Sequence, residues 1–323
     1  MLNKLAVLLA ASLVLALSAC GTGCGIGSTG CGGGETQSSV SNSSEIQWNL
    51  AGQTPGARGN YTAMVHDGGT LRVFSNFKGG SLLNLFDDGL LTEAKMYEWK
   101  GDWSGVSGAN VVADTPGKFL RTIGVQRGDS GKCYGLLRIG EAYGVGGYLP
   151  AWFETDNKCE NWHVVKPNVW NGSSDGFNTL TVDESAPAEL DTGTPRNNRF
   201  TAIGESIGAR VALAYSNNGV DWHFEKAELL PAELHATNPT FISEVKTPFG
   251  YHMIAADWNG QEAFRHMHLY SCDGKKYRVL DTAAPTFNGP KGTALLYEKS
   301  TGLVHSLTNG KHLTFQATRL ACT

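Results

Sequence analysis

Short apolar segments separated by turn residues recur along the chain from residue 48 onward, whereas an apolar period of 3.6 residues is almost absent. Segments of this kind, bounded by Gly, Pro, Asp and Ser, are typical of β-strands joined by tight turns. One unit, an extended stretch, a turn and a second apolar strand, occurs five times. The five copies span residues 61–74, 110–125, 199–215, 240–256 and 293–307. The pattern predicts an all-β domain built from repeats.

A tight turn that leads to an aromatic residue follows most of these strand pairs. The clearest copies run from Ser216 to Trp222 and from Ser271 to Tyr277. Asn-Gly and Asp-Gly suit turns with positive φ, and we expect the aromatic residue to pack between neighbouring sheets. Four strands per repeat predict a β-propeller, in which radially arranged sheets bury both faces.

The number of blades depends on one long step between repeats. The predicted first-hairpin turns lie near residues 68, 117, 205, 249 and 301, which gives one step of 88 residues among steps of 44 to 52. We predict five blades. Strand-like stretches at 148–153 and 161–165 leave six blades open, and two immunoglobulin-like domains are a further alternative, although no linker interrupts the repeats.

The first 19 residues have the features of a bacterial export signal. A positive start precedes an uncharged run from Leu5 to Ala19, which is short for a membrane-spanning helix. The run ends in Leu-Ser-Ala-Cys, which resembles the lipobox of bacterial lipoproteins. The resemblance implies acylation of Cys20 after cleavage, and Gly21 rather than aspartate implies the outer membrane. Ordinary secretion with cleavage nearby is the alternative.

Residues 20–45 predict a flexible tether between this membrane anchor and the folded domain. Eight glycines lie within residues 21–34, and residues 35–44 are mostly Ser, Thr, Gln and Asn. Such a segment buries too little apolar surface to fold. We therefore divide the chain into a signal peptide at 1–19, a tether at 20–45 and a propeller domain at 46–323.

Six cysteines remain when the acylated one is set aside, an even number that suits an oxidising compartment. Six cysteines allow fifteen pairings, and proximity in sequence favours one set. The disulfide candidates are Cys24 with Cys31, Cys133 with Cys159, and Cys272 with Cys322. No metal is predicted at the tether pair, because no second pair and no histidines lie beside it.

Charge and composition disfavour nucleic-acid binding. The chain carries 26 Lys+Arg against 30 Asp+Glu, a net charge of −4, so it has no basic field for phosphate backbones. No phosphate loop, dinucleotide fingerprint or nucleophile elbow occurs, and no cofactor is predicted. We expect a monomer.

Several motifs resemble one group of glycoside hydrolases. They are Val73-Phe74-Ser75, residues 214–219 followed by Trp222, and residues 264–271 before a Ser-x-Asp-Gly turn. They are similar to the five-bladed propellers of the arabinanase, α-L-arabinofuranosidase and levansucrase group, over Tyr61 to about Phe315. The resemblance implies a pore lined by the first strand of each blade. It also implies three carboxylates there: a base in the first blade, an orienting acid in the second and a general acid in a later one.

Asparagines occupy the positions that correspond to these carboxylates. Counting back from the predicted turns puts the base position at Asn60, the orienting acid near Asn110 and the general acid near Asn238. An amide hydrogen-bonds a sugar hydroxyl but does not exchange a proton. In this register the usual hydrolytic machinery is absent, and the pore binds glycan. Asparagines that only satisfy loop backbone groups are the structural alternative.

Three further residues are candidate sugar contacts: His235, Arg265 and Trp258, whose indole could stack on the apolar face of a sugar. Six other tryptophans fall into two groups, stacking candidates and inter-blade core. The stacking candidates are Trp103, Trp152 and Trp170, and the core candidates are Trp99, Trp162 and Trp222.

Two clusters could have either a structural or a functional role. His266 and His268 share one face of a predicted strand at a spacing that some zinc sites use. Because no third ligand is identifiable, we predict half-exposed strand histidines and no metal. Arg58, Arg196 and Arg199 could bind an anion, but we predict solvated surface arginines, because the turn spacing of sialidases is missing.

Three functions remain open. The first is a glycan-binding or glycan-processing propeller. The second is an active arabinofuranosidase-like hydrolase that uses loop carboxylates, and the third is a scaffold for protein interactions.

Overall fold

Twenty β-strands form five four-stranded sheets in the described part of the chain. The structure is a computed structural model. It describes residues 45–53, 61–67, 70–75, 95–99, 106–108, 119–140, 149–155, 162–166, 168–169, 179–207, 210–235, 239–258, 264–281, 294–308 and 311–322. All of these belong to one unit, Ser38–Thr323.

The first blade contains β2 to β5, the second β6 to β9, the third β10 to β13 and the fourth β14 to β17. The fifth contains β18 to β20 and is completed by β1. The strands are β1 (Asn49–Gln53), β2 (Tyr61–Asp67), β3 (Thr70–Ser75), β4 (Lys95–Trp99), β5 (Val106–Gly108), β6 (Phe119–Arg127), β7 (Cys133–Gly140), β8 (Leu149–Thr155), β9 (Trp162–Lys166), β10 (Thr181–Val182), β11 (Phe200–Ile207), β12 (Arg210–Ser216), β13 (His223–Glu228), β14 (Thr240–Thr247), β15 (Gly250–Trp258), β16 (Phe264–Ser271), β17 (Arg278–Asp281), β18 (Ala294–Glu298), β19 (Leu303–Thr308) and β20 (Lys311–Gln316). Two short 3-10 helices span Pro195–Asn197 and Ala232–Leu234.

The inner strands of the blades close a ring. In turn, β2 contacts β6, β6 contacts β10, β10 contacts β14, β14 contacts β18, and β18 contacts β2. The predicted β-propeller is therefore confirmed, and β1 completes the last blade from the N-terminal side. Because every blade runs from its inner strand outward, the inner strands run in one direction around the axis.

The ring therefore has two axial faces. At the start face the inner strands begin, at Tyr61, Phe119, Thr181, Thr240 and Ala294. At the turn face they end, at Asp67, Arg127, Val182, Thr247 and Glu298.

Aromatic side chains fill the space between the second and third blades. The ring of Trp152 is fully buried, with centroids 4.7 Å from Phe200, 5.6 Å from Trp222 and 5.8 Å from Tyr134. Trp222 follows the turn at Gly219, whose φ is +73°, as the sequence predicted. Tyr277, after the second such turn, is likewise buried, in the cluster between the third and fourth blades. The aromatic residue after each turn therefore packs in the core between two blades.

Two of the predicted repeats have the wrong register. The inner strand of the second blade is β6, which the sequence assigned to the second strand of the hairpin. In the third blade, the predicted turn at 204–206 lies within the continuous strand β11, and the inner strand is the two-residue β10. The predictions for the first, fourth and fifth hairpins are confirmed. Because the segment 131–195 supplies β7, β8, β9 and β10, no sixth blade is needed to explain its length.

Both ends of the domain are fastened to the fourth blade. The predicted disulfide Cys272–Cys322 is confirmed, with a Cα–Cα distance of 5.8 Å. Arg278 donates two hydrogen bonds to the carboxylate of Glu45, of 2.9 and 2.6 Å, and one of 3.2 Å to the carbonyl oxygen of Ala321.

Cys133 is also disulfide-bonded, whereas its predicted partner Cys159 lies outside the described residues. So do Cys20, Cys24 and Cys31, with the predicted signal peptide and nearly all of the tether. Among the described residues, no helix is long and apolar enough to span a membrane.

Candidate functional site

Two of the predicted asparagines adjoin inner strands at the start face. Strand β2 begins at Tyr61, directly after Asn60, and β14 begins at Thr240, two residues after Asn238. Asn60, Asn110 and Asn238 themselves lie outside the described residues. The predicted register of Asn110 is wrong, because the inner strand of its blade begins only at Phe119.

Trp258 and Arg265 belong to the start face of the fourth blade. Strand β15 ends at Trp258 and β16 begins one residue before Arg265. Three backbone pairs fix this placement: Thr240 with Ala256, Asp257 with Arg265, and Trp258 with Phe264. The sheet register therefore brings these two predicted contacts to the edge at which β14 begins.

His235 lies in the connection that leads to β14. It caps the 3-10 helix Ala232–Leu234, and its ring Nε2 is 3.0 Å from the carbonyl oxygen of Leu230. The half-buried ring thus holds the turn of chain that precedes Asn238. Its position agrees with a site at this face, although one ring nitrogen is engaged with the protein.

Two predicted surface residues belong to the core instead. Trp152, a candidate for sugar stacking, is fully buried, and its Nε1 donates a 3.0 Å hydrogen bond to Glu154. His268, predicted to be half exposed, is 1% exposed and lies 3.0 Å from the ring of His252. In neither case did local sequence distinguish a strand face directed at a neighbouring blade from one directed at solvent.

A buried ion pair joins the third and fourth blades. Arg196 Nη2 donates to Glu244 Oε1 at 2.6 Å, and both side chains are almost completely buried. Thr181 donates to the other carboxylate oxygen at 2.6 Å, and the hydroxyl of Tyr277 donates to Oε1. Burial lowers the pKa of Arg196, but the negative charge of Glu244 outweighs it and raises this pKa above its usual value. The prediction of a solvated Arg196 is wrong.

The ion pair forms the base of a hydrogen-bonded layer that crosses three blades. Gln126, near the end of β6, donates from Nε2 to the carbonyl oxygen of Glu244 at 3.3 Å. Its Oε1 accepts from the backbone N–H of Val182 at 3.0 Å. One amide side chain therefore links the second, third and fourth blades beneath the turn face.

A cavity of about 260 Å³ opens on this turn face. Its walls come from the ends of four inner strands, β6, β10, β14 and β18, and from the turns that follow them. The lining residues are Gln126, Arg127, Gly128, Asp129, Val182, Asp183, Glu184, Ser185, Val245, Lys246, Thr247, Pro248, Leu296, Tyr297 and Lys299.

Two carboxylates of this cavity, those of Asp183 and Glu184, are held in the ionised form. Burial alone would raise the pKa of Asp183, but hydrogen bonds from Lys246 and Ser185 lower it below its usual value. In the same way, hydrogen bonds from Tyr134 and Ser130 outweigh burial and lower the pKa of Glu184. These groups can accept hydrogen bonds from hydroxyls, but they are poor proton donors near neutral pH.

No group of three or more His, Cys, Asp or Glu side chains in the described part of the chain is arranged to hold a metal ion.

No protein-family profile and no curated protein matches the sequence. Solved structures that resemble the chain include a GH43 β-1,3-galactosidase with galactodeoxynojirimycin, with a TM-score of 0.52, 12% identity and coverage of 79% of this chain and 90% of that one. A second GH43 β-1,3-galactosidase has a TM-score of 0.52 and 11% identity, over 87% of this chain and 60% of the other. An endo-arabinase from Bacteroides thetaiotaomicron has a TM-score of 0.51 and 9% identity, over 83% and 98%. At these identities the likeness shows the fold, a β-propeller shared with glycoside hydrolases.

Proposed function

We propose that the protein is a cell-envelope propeller that binds or processes glycan at its start face. The observation that carries the proposal is the register of the fourth blade. There, β15 ends at Trp258 and β16 begins one residue before Arg265, at the edge of the sheet where β14 begins, two residues after Asn238 in sequence. An indole for the apolar face of a sugar, a guanidinium and an amide are the groups from which sugar sites are built.

The ligand class follows from this combination and from the shared fold. A propeller of similar architecture, a β-1,3-galactosidase, carries galactodeoxynojirimycin, and another is an endo-arabinase. We propose neutral hexose or pentose units as the ligand. Asn60 and Asn238 would hydrogen-bond hydroxyl groups, because amides both donate and accept.

Hydrolysis is the second candidate function, and Asp257 favours it. Its backbone pairs with Arg265 at the start face, one residue from Trp258. Glycoside hydrolysis needs a second carboxyl group across the bond, about 6.5–9.5 Å away in inverting enzymes and about 5–5.5 Å away in retaining ones. Binding remains the leading proposal, because asparagines, Asn60 and Asn238, precede the inner strands of the first and fourth blades, where the resemblance implies carboxylates.

The experiment combines binding with turnover. Wild-type protein is titrated with arabinan and galactan oligosaccharides, and sugar release is measured on aryl arabinofuranosides, aryl galactosides, arabinans and fructans. Trp258→Ala should weaken binding at least tenfold, while the exposed control Lys226→Gln should not change it. Sugar release that disappears in Asp257→Asn would establish the hydrolase. No binding and no turnover across the panel would contradict both, and would favour a protein-interaction scaffold.

Export and anchoring belong to the same proposal. Acylation of Cys20 would tether the domain to the outer membrane through the segment 20–45, and the disulfide Cys272–Cys322 suits an oxidising compartment. Labelled palmitate should be incorporated by the wild-type chain and not by Cys20→Ala. Equal labelling of both chains would overturn the anchor.

A further inference from the structure

The turn-face cavity is separate from the site proposed above. It lies where the inner strands end, whereas Trp258 and Arg265 stand at the edge where an inner strand begins. Residues from the second, third, fourth and fifth blades converge on it, so it is a feature of the closed ring and of no single blade.

Hydrogen bonds within the protein fix the side chains at the floor of the cavity before any ligand binds. Gln126 is fixed at both ends of its amide, to Val182 and to Glu244. Glu244 is in turn held by the buried guanidinium of Arg196. A site that needs little rearrangement loses little free energy to ordering on binding.

Two ion pairs link blades around the opening. Lys246 pairs with Asp183 between the fourth and third blades, with 37% and 17% of their side-chain surfaces exposed. Lys299 of the fifth blade pairs with Asp129 of the second. These two blades are not neighbours in the ring, so the second pair spans the opening past the first blade.

The cavity lining has equal numbers of positive and negative side chains, which favours a neutral ligand. Three cations, Arg127, Lys246 and Lys299, line the cavity together with three anions, Asp129, Asp183 and Glu184. A charged ligand would meet attraction and repulsion in equal number. Hydroxyl groups, in contrast, donate to carboxylates and accept from ammonium groups, so a polyhydroxylated neutral molecule is complementary to both sets.

We propose that the turn-face cavity is a second carbohydrate site that takes one neutral sugar unit, with Asp183, Glu184 and Lys246 hydrogen-bonding its hydroxyls and Tyr297 contacting its ring. The proposal rests on the proposed function for its ligand class only, since the cavity and its charges stand independently.

The experiment measures how many sugar-binding sites the protein has and uses variants to assign each site to the turn face or the start face. L-arabinose, D-galactose and a neutral arabinan oligosaccharide are titrated into the full chain by calorimetry, with saturation-transfer NMR as the second measurement. Asp183→Ala/Lys246→Ala removes two of the proposed hydrogen-bonding side chains and leaves neither charge of the ion pair unpaired. Ser185→Trp fills the mouth and guards against a double variant that does not fold. Lys226→Gln, on the outer strand β13, is the matched control, and circular dichroism checks the fold.

Each cavity variant should lose one class of site, with at least a tenfold fall in affinity, and should keep the site that Trp258→Ala removes. Unchanged binding in both cavity variants would overturn the second site while leaving the start-face proposal intact. Conversely, loss of all binding in the cavity variants, with no effect of Trp258→Ala, would support the cavity and reject the start face. Tighter binding of D-galacturonate than of D-galactose would overturn the neutral ligand class.

Discussion

Arg196 and Glu244 form an ion pair between two blades, with Nη2 and Oε1 2.6 Å apart and both side chains almost inaccessible to water. Arg196 lies in the short 3-10 helix between β10 and β11, and Glu244 lies on β14. The pair therefore fixes the third blade against the fourth at the inner ring. The backbone carbonyl oxygen of Glu244 also accepts a hydrogen bond from Gln126 at the floor of the turn-face cavity.

Removal of one charged side chain of this ion pair should lower the free energy of unfolding. Glu244→Gln leaves the guanidinium buried without its counter-ion, and we expect a loss of about 3–5 kcal/mol in the free energy of unfolding. Arg196→Met combined with Glu244→Gln should recover much of this loss, because no buried charge remains unpaired. Denaturant unfolding of the two single variants and the double variant gives the coupling energy. Additive losses would show that the pair contributes no mutual stabilisation.

Gly219 has no room for a side chain. Its φ of +73° disfavours L-residues by roughly 1–2 kcal/mol, and a Cβ there would collide with the indole of Trp152. We expect Gly219→Ala to lower the free energy of unfolding by more than about 2 kcal/mol. Gly193→Ala is the matched control, because its Cβ would meet only Asp191 Oδ1, at 3.5 Å. Equal thermal midpoints for the two variants would contradict this account of the turn.

Local chemistry explains which parts of the fold could be predicted from the sequence. The turn at Gly219 and the aromatic at Trp222 lie within one short segment, so spacing alone indicates both. The inner strand β10 has only two residues, too few to show an alternation of apolar and polar positions. The sequence pattern therefore predicts β11, the second strand of the third blade, as its inner strand. The Asp-Thr-Pro-Gly segment at 114–117 has the composition of a hairpin turn, but the first hairpin of that blade comes after Arg127.

The residues of the candidate sites also differ in whether local sequence can predict them. Trp258 could be selected because an indole beside Asn and Gly suggests exposure to a ligand, and the register of β15 puts it at the start face. Arg196 and Glu244 are 48 residues apart in sequence and have no local mark of burial. The turn-face cavity is assembled from the ends of four strands in four blades. Such a site exists only in the closed ring, so no segment of the sequence predicts it.

The disulfide Cys272–Cys322 should stabilise the domain by restricting the unfolded chain. It closes a loop of 50 residues, for which loop-closure entropy gives an upper value of about 4 kcal/mol. We expect Cys272→Ser/Cys322→Ser to lose about 2–4 kcal/mol, measured by denaturant unfolding without reductant. Ala321→Ser, at the neighbouring exposed position, should have no effect. A double variant as stable as the wild type would show that Arg278 alone fastens the C-terminus.

Buried histidines should make the protein sensitive to mild acid. Burial lowers the pKa of His252 to about 3, and burial together with the neighbouring charge of His252 holds the pKa of His268 well below its usual range. The aromatic rings of Trp48, Tyr270 and Phe315 pack against them, so protonation would place a charge in an apolar cluster.

The direction in which stability changes with pH follows from the difference in proton binding between the folded and unfolded states. Unfolded histidines take up protons below about pH 6.5, while the buried pair stays neutral, so stability falls as the pH drops from 6.5 toward 3. Between pH 6.5 and pH 5 each buried histidine should lower the free energy of unfolding by about 1.6 kcal/mol. The measurement is the slope of unfolding free energy against pH for the wild type and for His252→Phe/His268→Leu. The variant should have the shallower slope whatever its absolute stability, and equal slopes would exclude this pair as the source of acid sensitivity.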